Sequence, residues 1–459
     1  MSNLRIELDH DKVYTTGDIV SGKVHLTVDE KVDLTSIEIS LYGESRSRNR
    51  AHSGQLYMTK LEKHTLLELV STVFPPPEIQ SISSNDQYTL TEGEYTYPFA
   101  FTFPNKGHDA DCKVEKRFFH SRGYTRRDDI KHVSLAPTYS YKWSFDEYCR
   151  VEYSVSVTVH NPSFFKFDTK VSEIIKFYPQ NEDLTFSSKH LLDNGQLKPD
   201  FDSCTKDLKY LPDGTMKVEG FFTKLFSPSG MELPLELKVS FIGDEVDTPE
   251  GTTKRVVKSN DNLSNYIRLS LQTPISGRVL REVAGDDNVP KGESPRDSFK
   301  IRISGVKVRL LSRIRYLSVK TSRKTHKYDL LDKALDNEVS FCDFEPVAQE
   351  KCSSRLTKKE LYGLDLDPEW FDCNIADKGQ SFVTCNIKRD FHIEISVMVA
   401  STTDLSSEVK FRVECPINLK KGFVSSELDN DTGKASFGYG VAPPEYGDEK
   451  NSEPMEWGV

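Results

Sequence analysis

The sequence predicts an all-β protein of two tandem β-sandwiches followed by a disordered C-terminal tail, and three observations predict this fold class. Apolar and polar residues alternate with a period of two in many segments. Turn-forming residues separate these segments, and no apolar stripe of helical period crosses residues 1–160. The composition suits a folded chain, because 36% of the 459 residues are hydrophobic and 26 Phe and 19 Tyr can fill substantial cores.

The first sandwich is predicted over residues 1–165. Its clearest strand is CRVEYSVSVTV, in which apolar side chains from Val151 to Val159 share one face and polar residues from Glu152 to Thr158 share the other. This pattern is typical of a half-buried antiparallel strand. Shorter segments with the same alternation lie at residues 4–8, 24–28, 37–41 and 99–103.

The second sandwich is predicted over residues 166–424, with long loop insertions, because the alternation resumes after Asn161-Pro162. The alternating segments include 235–241, 301–310 and 393–399, and polar stretches at about 244–262 and 284–297 predict surface loops. The segment KKELYGLDLDPEWF (358–371) predicts a short helix that stops before Pro368.

A flexible acidic tail is predicted over residues 425–459. From Ser425 the chain is polar and Gly-rich, with eight acidic residues against two lysines. Such a segment buries too little apolar surface to offset the entropy of folding.

The overall charge and hydropathy limit the location and the partners. The formal net charge is −10, from 61 basic and 71 acidic residues, which disfavours a dedicated nucleic-acid binder. No apolar stretch is long enough for a membrane-spanning helix, and the N-terminus MSNLRIELDH is charged where a secretory signal is apolar. We therefore expect a cytoplasmic protein. Eight cysteines without a C-x-x-C pair are interpreted as reduced thiols.

Sequence signatures of enzymes are absent. The chain contains no phosphate-binding G-x-x-x-x-G-K-[ST] loop, no H-E-x-x-H, no G-x-S-x-G and no set of kinase motifs. The run His108-Asp109-Ala110-Asp111-Cys112 has metal-capable side chains, but its spacing matches no closed zinc or calcium pattern. We predict no catalytic residue, no cofactor and no metal site; an enzyme or a carbohydrate-binding sandwich stays an alternative.

Three stretches of the sequence resemble the α-arrestins, which are trafficking adaptors of fungi and animals, and we expect a fungal member. They are VYTTGDIVSGKVHLTVDEKVDLTSIEISLYGES (13–45), EGEYTYPFAFTFP (92–104) and LAPTYSYKWSFDEYCRVEYSVSVTV (135–159). The resemblance implies arrestin-like, immunoglobulin-type sandwiches. It is good over residues 1–165 and weaker over 166–420, where insertions would account for the extra length. The first turn has Thr16-Gly17-Asp18 where many members have Pro-Gly-Asp.

A candidate partner-binding motif lies in the tail at Pro443, Pro444, Glu445 and Tyr446. Consecutive prolines hold the backbone near polyproline II, so little entropy is lost when an aromatic groove clamps the rings. The resemblance implies that this PPxY motif binds the WW domains of a HECT-type ubiquitin ligase. A chance proline-rich tail is the alternative. The segment FPPPEIQ (74–80) lacks the tyrosine and is interpreted as a loop between strands.

A basic segment in the first half is a second candidate site. It is interpreted by default as a solvated loop, and alternatively as a surface for acidic or phosphorylated cargo or for anionic lipid. The residues concerned are Lys113, Lys116, Arg117, Arg122, Arg126, Arg127 and Lys131.

A second basic series alternates with apolar residues and so belongs on the outer face of strands, where simple solvation is favoured. It consists of Lys300, Arg302, Lys307, Arg309, Arg313 and Arg315.

Taken with the resemblance, these residues predict a non-enzymatic adaptor. It would link cytosolic segments of membrane transporters or receptors to the ligase, promote cargo ubiquitination and endocytosis, and be recruited peripherally to the plasma membrane or endosomes. The alternative is an arrestin-fold scaffold in vesicle sorting or pH signalling that recruits no ligase.

Overall fold

The computed structural model describes most of the strand-forming chain. The described residues are 3–53, 56–76, 79, 87–105, 135–162, 168–179, 202–210, 216–218, 231–243, 245–247, 253–276, 300–318, 321–347, 360–402 and 408–421. Within them the chain is built from β-strands and short 3-10 turns, and no helix there is long and apolar enough to cross a membrane. The predicted all-β fold class is confirmed.

The first sandwich packs one sheet in the order β1-β3-β8 against another in the order β2-β11-β10-β5-β6, with β9 also paired to β10 and β4 paired to β7. Its strands are β1 (Asn3–Leu8), β2 (Val13–Tyr14), β3 (Ile19–Val28), β4 (Val32–Leu34), β5 (Ser36–Ser53), β6 (Leu56–Phe74), β7 (Tyr88–Leu90), β8 (Gly93–Thr102), β9 (Tyr139–Ser144), β10 (Glu147–His160) and β11 (Thr169–Phe177).

The alternation in β10 sets the register of this sandwich. Val155 lies opposite Leu41 and Val157 opposite Ile39 in the antiparallel pair with β5, and all four side chains are fully buried. A one-residue slip would turn this apolar face to solvent, so the pattern fixes the pairing. Phe177 of β11 also belongs to this core; the division of the chain at residue 165 stays a prediction.

The second sandwich packs a sheet in the order β13-β12-β14-β17-β21-β20 against one in the order β15-β16-β24-β23-β18-β19, with β22 also paired to β23. Its strands are β12 (Asp202–Tyr210), β13 (Met216–Val218), β14 (Met231–Phe241), β15 (Glu245–Asp247), β16 (Thr253–Lys258), β17 (Ile267–Thr273), β18 (Lys300–Leu317), β19 (Thr321–Ser340), β20 (Glu345–Pro346), β21 (Tyr362–Asp365), β22 (Phe382–Val383), β23 (Ile387–Ser401) and β24 (Val409–Lys420). Short 3-10 turns span Leu263–Asn265, Phe341–Asp343 and Pro368–Trp370.

The two sandwiches share a joint. Ile314, Tyr316, Phe382 and Ile387 come from the second half of the chain but pack into the core of the first sandwich. Asn386, which is fully buried, lies at this joint. Because buried apolar surface contributes about 25 cal/mol of stabilisation per Å², these side chains stabilise the contact between the two sandwiches.

Three expectations from the sequence are wrong. The stretch 244–262 was expected to be a surface loop, but strands β15 and β16 lie within it and Val257 is fully buried. Residues 362–365 form strand β21 instead of a helix, and the helical turn begins at Pro368 instead of ending before it. The Asp367 side chain accepts a hydrogen bond from the Glu369 amide at 2.9 Å, so Asp367 caps this turn and proline takes its first position. Cys385 is disulfide-bonded, although the thiols were expected to be reduced; the other cysteines among the described residues are free.

Candidate functional site

The site residues predicted from sequence motifs lie outside the described residues. This holds for Pro443, Pro444, Glu445 and Tyr446, and for the whole basic segment 113–131. The run 108–112 lies there too, and the described part of the chain contains no cluster of residues that could hold a metal ion. The binding roles of the PPxY motif and the basic segment therefore stay predictions.

The basic series on β18 is described, and each of its members faces a carboxylate. Such cross-strand pairs contribute about 0.2 to 1 kcal/mol each. Because their charge is matched by neighbouring strands, these side chains leave no unpaired positive stripe on the sheet. The pairs are Lys300–Glu338 at 3.2 Å, Arg302–Asp336, Lys307–Asp332 at 2.5 Å, Arg309–Glu394 at 3.2 Å, Arg313–Glu414 at 2.5 Å and Arg315–Asp390 at 2.8 Å.

A different arrangement of charge occurs in a cavity of about 420 Å³ between the two sandwiches. The first sandwich lines it with residues 137–141 and with Tyr178, and the second with residues 377–380, Arg389 and Lys421. Cavities of this size hold small molecules, and they occur preferentially between domains. We take this cavity as the candidate functional site.

Arg389 on β23 is the most buried charge of the cavity, with 8% of its surface exposed. Its Nε donates to the Ser312 hydroxyl at 3.1 Å and its Nη2 donates to the Lys378 carbonyl at 2.5 Å. The guanidinium lies over the rings of Tyr139 at 4.8 Å and Phe391 at 4.6 Å, and it has no carboxylate partner among the described residues. Burial lowers the pKa of Arg389, but a guanidinium stays charged at neutral pH.

The two lysines of the cavity also rest on aromatic rings. Lys378 lies 5.2 Å from the centroid of Tyr328, and Lys421 lies 4.8 Å from that of Tyr178. Neither lysine forms an ion pair with a described residue. A ring stabilises a cation through its quadrupole without neutralising it, so the field in the cavity stays positive.

Three buried polar atoms in the cavity lining have no hydrogen-bond partner among the described residues. They are the Tyr139 hydroxyl, His326 Nε2 and Gln380 Nε2. Burial, with a smaller effect of Arg389, lowers the pKa of His326 from 6.5, so its ring is neutral at pH 7. Burial raises the pKa of Tyr139, so its hydroxyl stays protonated and able to donate. An unsatisfied buried polar group costs about 1 to 3 kcal/mol.

Local structure fixes the cavity walls. Thr138 is held by two hydrogen bonds to Phe177: its amide donates to the Phe177 carbonyl at 2.8 Å, and its hydroxyl accepts from the Phe177 amide at 2.9 Å. Gly379 has a φ of 87°, and a Cβ there would lie 2.6 Å from Arg389 Nη1. A glycine is therefore required where the loop passes the guanidinium.

Sequence reasoning missed this site. The stretch LAPTYSYKW (135–143) was noticed only for its family resemblance, yet it forms one wall of the cavity. The other signal was the run Lys388-Arg389-Asp390 at the start of an alternating strand, where three consecutive charged residues are all buried. Charges that interrupt a core strand need partners or a function.

Comparison with known proteins finds a likeness to arrestins over the first part of the chain. Residues 4–181 match the family model "Arrestin (or S-antigen), N-terminal domain". Two similar curated proteins, from Lachancea thermotolerans and Zygosaccharomyces rouxii, are each named "Arrestin-related trafficking adapter 10". The first is 25% identical over 27% of this chain and 32% of its own length. The second is 24% identical over 39% of this chain and 41% of its own length, so each match spans less than half of the relative.

Proposed function

We propose that this chain, which resembles the fungal α-arrestins, is a non-enzymatic adaptor in membrane trafficking. The printed names of its relatives support an adaptor role. In this proposal the two sandwiches bind cytosolic segments of membrane transporters or receptors, and the tail recruits a HECT-type ubiquitin ligase through its WW domains. The ligase then modifies the cargo, which marks it for endocytosis.

The observation that carries ligase recruitment is the motif Pro443-Pro444-Glu445-Tyr446. The prolines preset an extended backbone, and the tyrosine supplies a second aromatic anchor for the groove of a WW domain. The motif lies in a stretch that is rich in Gly and acidic residues and poor in aliphatic ones, a composition that favours access by a partner. One copy binds weakly, so a second contact with the ligase would add avidity.

The basic segment 113–131 is the proposed contact for acidic or phosphorylated cargo tails or for anionic lipid. Arginine and lysine side chains bind phosphate through charge-assisted hydrogen bonds. Cargo contact of this kind would bring the protein to the plasma membrane or to endosomes. The binding would weaken with added salt, because exposed charges are screened within about 8 Å at physiological ionic strength.

Affinity capture from cells tests the ligase part of the proposal. We expect the unaltered chain to retain a ligase that carries WW domains, and the Tyr446→Ala variant to lose it. Tyr439→Ala is the matched control, because Tyr439 lies in the same tail outside the motif. Equal ligase recovery with Tyr446→Ala and the unaltered chain would overturn ligase recruitment and favour a scaffold in vesicle sorting or pH signalling.

A further inference from the structure

We infer that the cavity between the two sandwiches binds the phosphate group of a small molecule. This site is separate from the tail motif and from the basic segment, so it adds a ligand to the proposed adaptor. Three observations carry it: the unmatched positive charge, the surplus of hydrogen-bond donors, and the position of the cavity at the joint.

The charge of the cavity calls for an anion. Arg389, Lys378 and Lys421 rest on aromatic rings, whereas the six basic side chains along β18 each face a carboxylate. Among the described residues of the lining, Asp377 is the one carboxylate, and one of its oxygens accepts from the Gly379 amide at 3.0 Å. A buried cation without a carboxylate is costly, and an anionic ligand supplies the missing counter-charge.

The donors favour phosphate over a carboxylate. Gln380, Tyr139 and His326 each carry an unsatisfied polar atom in the same lining as the Arg389 guanidinium. With the two lysine ammonium groups, the donors outnumber the two oxygens of a single carboxylate. A phosphate group offers three strong acceptor oxygens, and guanidinium geometry suits bidentate phosphate binding.

The ligand would join the two sandwiches. Tyr139 and Tyr178 come from the first sandwich, and Arg389 and Lys421 come from the second. A phosphate held by both walls favours the arrangement in which they face each other, because a ligand stabilises the state that binds it. The occupied cavity would therefore hold the two cargo-binding units in one relative orientation.

Calorimetric titration of the full chain with pyrophosphate tests the inference. We expect a saturable site, a loss of affinity of about tenfold or more in Arg389→Gln, and a loss of about threefold or more in Lys421→Ala. Lys410→Ala is the matched control, since Lys410 is an exposed lysine of β24 outside the cavity. The Lys410→Ala variant should bind pyrophosphate with the affinity of the unaltered chain. Lys421 is only partly buried, so its variant reports on binding even where Arg389→Gln fails to fold.

A second arm distinguishes the source of the phosphate. Vesicles of phosphatidylcholine with phosphatidic acid are tested for sedimentation of the same variants. Soluble binding that depends on Lys421 supports a small phosphate ester, and vesicle binding with the same dependence supports a lipid headgroup. The inference is overturned by absence of binding to both probes, or by equal losses in Lys421→Ala and Lys410→Ala. Tyr446→Ala should bind pyrophosphate with the affinity of the unaltered chain, so a failure of the phosphate site and a failure of ligase recruitment can be told apart.

Discussion

Removing the Asn386 side chain should loosen the joint between the sandwiches. Its Oδ1 accepts from the Ser45 hydroxyl at 2.6 Å and from the Thr384 hydroxyl at 3.2 Å. Its Nδ2 donates to the Ser47 hydroxyl at 2.8 Å and to the Glu62 carbonyl at 3.5 Å. The amide thus connects β5 and β6 of the first sandwich to the turn before β23 of the second.

The magnitude follows from these bonds. Three of them are well within hydrogen-bond distance, and each contributes about 0.5 to 1.5 kcal/mol net. Asn386→Ala also leaves the Ser45 hydroxyl, which is fully buried, without its acceptor, at a cost of about 1 to 3 kcal/mol. Because these contributions overlap, we expect a total loss of about 2 to 4 kcal/mol.

Urea denaturation, followed by hydrogen exchange of β5 and β23, measures this loss. Asn386→Ala should lower the unfolding midpoint and speed exchange on both sides of the joint, whereas Asn374→Ala, at an exposed position, should change stability by less than about 0.5 kcal/mol. In a double-mutant cycle, Ser45→Ala should cost much less in the Asn386→Ala background than alone. A loss below about 1 kcal/mol, or additive effects in the cycle, would refute the assignment of Asn386 as a structural bridge.

Three further predictions concern single side chains. Gly379→Ala should lower the free energy of unfolding by about 1 to 2 kcal/mol and weaken pyrophosphate binding, because a φ of 87° is strained for alanine and the added Cβ would displace Arg389. Thermal denaturation and calorimetry measure these two effects, and unchanged values would contradict the prediction. Glu394→Ala should lower the free energy of unfolding by about 1 to 3 kcal/mol, because this buried carboxylate pairs with two arginines. Glu338→Ala removes a half-exposed partner of Lys300 and should lower it by less than about 1 kcal/mol; equal losses in urea denaturation would contradict this prediction. Burial lowers the pKa of His326 in the folded state below 6.5, so the unfolded chain binds a proton there more readily and stability falls as the pH drops below about 6.5. His326→Gln should flatten that part of a curve of stability against pH, and an unaltered slope would contradict this prediction.

The strands could be predicted because their information is local. The alternation from Val151 to Val159 determines which face of β10 is buried, and the structure buries that face. The helix expected over 358–371 failed because Pro368 can begin a turn as well as end one, and Asp367 decides between the two by capping. The pattern of apolar and polar residues alone does not show whether Pro368 ends a helix or begins a turn.

The cavity could not be predicted because it depends on contacts between distant segments. Residues 137–141 and Arg389 are far apart in sequence, and only the packing of the sandwiches brings them together. The matched charges of β18 were equally hidden, since their partners lie on β19, β23 and β24. The tail motif could be predicted from the sequence, because its binding chemistry lies in four adjacent residues and does not depend on contacts with distant segments.

Titration of the purified full chain with an isolated WW domain of a HECT-type ligase tests directly whether the tail motif binds such a domain. We expect saturable binding that Tyr446→Ala weakens by about 30-fold or more, equivalent to the ~2 kcal/mol of an interface anchor, while Tyr439→Ala binds like the unaltered chain. Binding that is insensitive to Tyr446→Ala, or no binding to any WW domain of such a ligase, would contradict it.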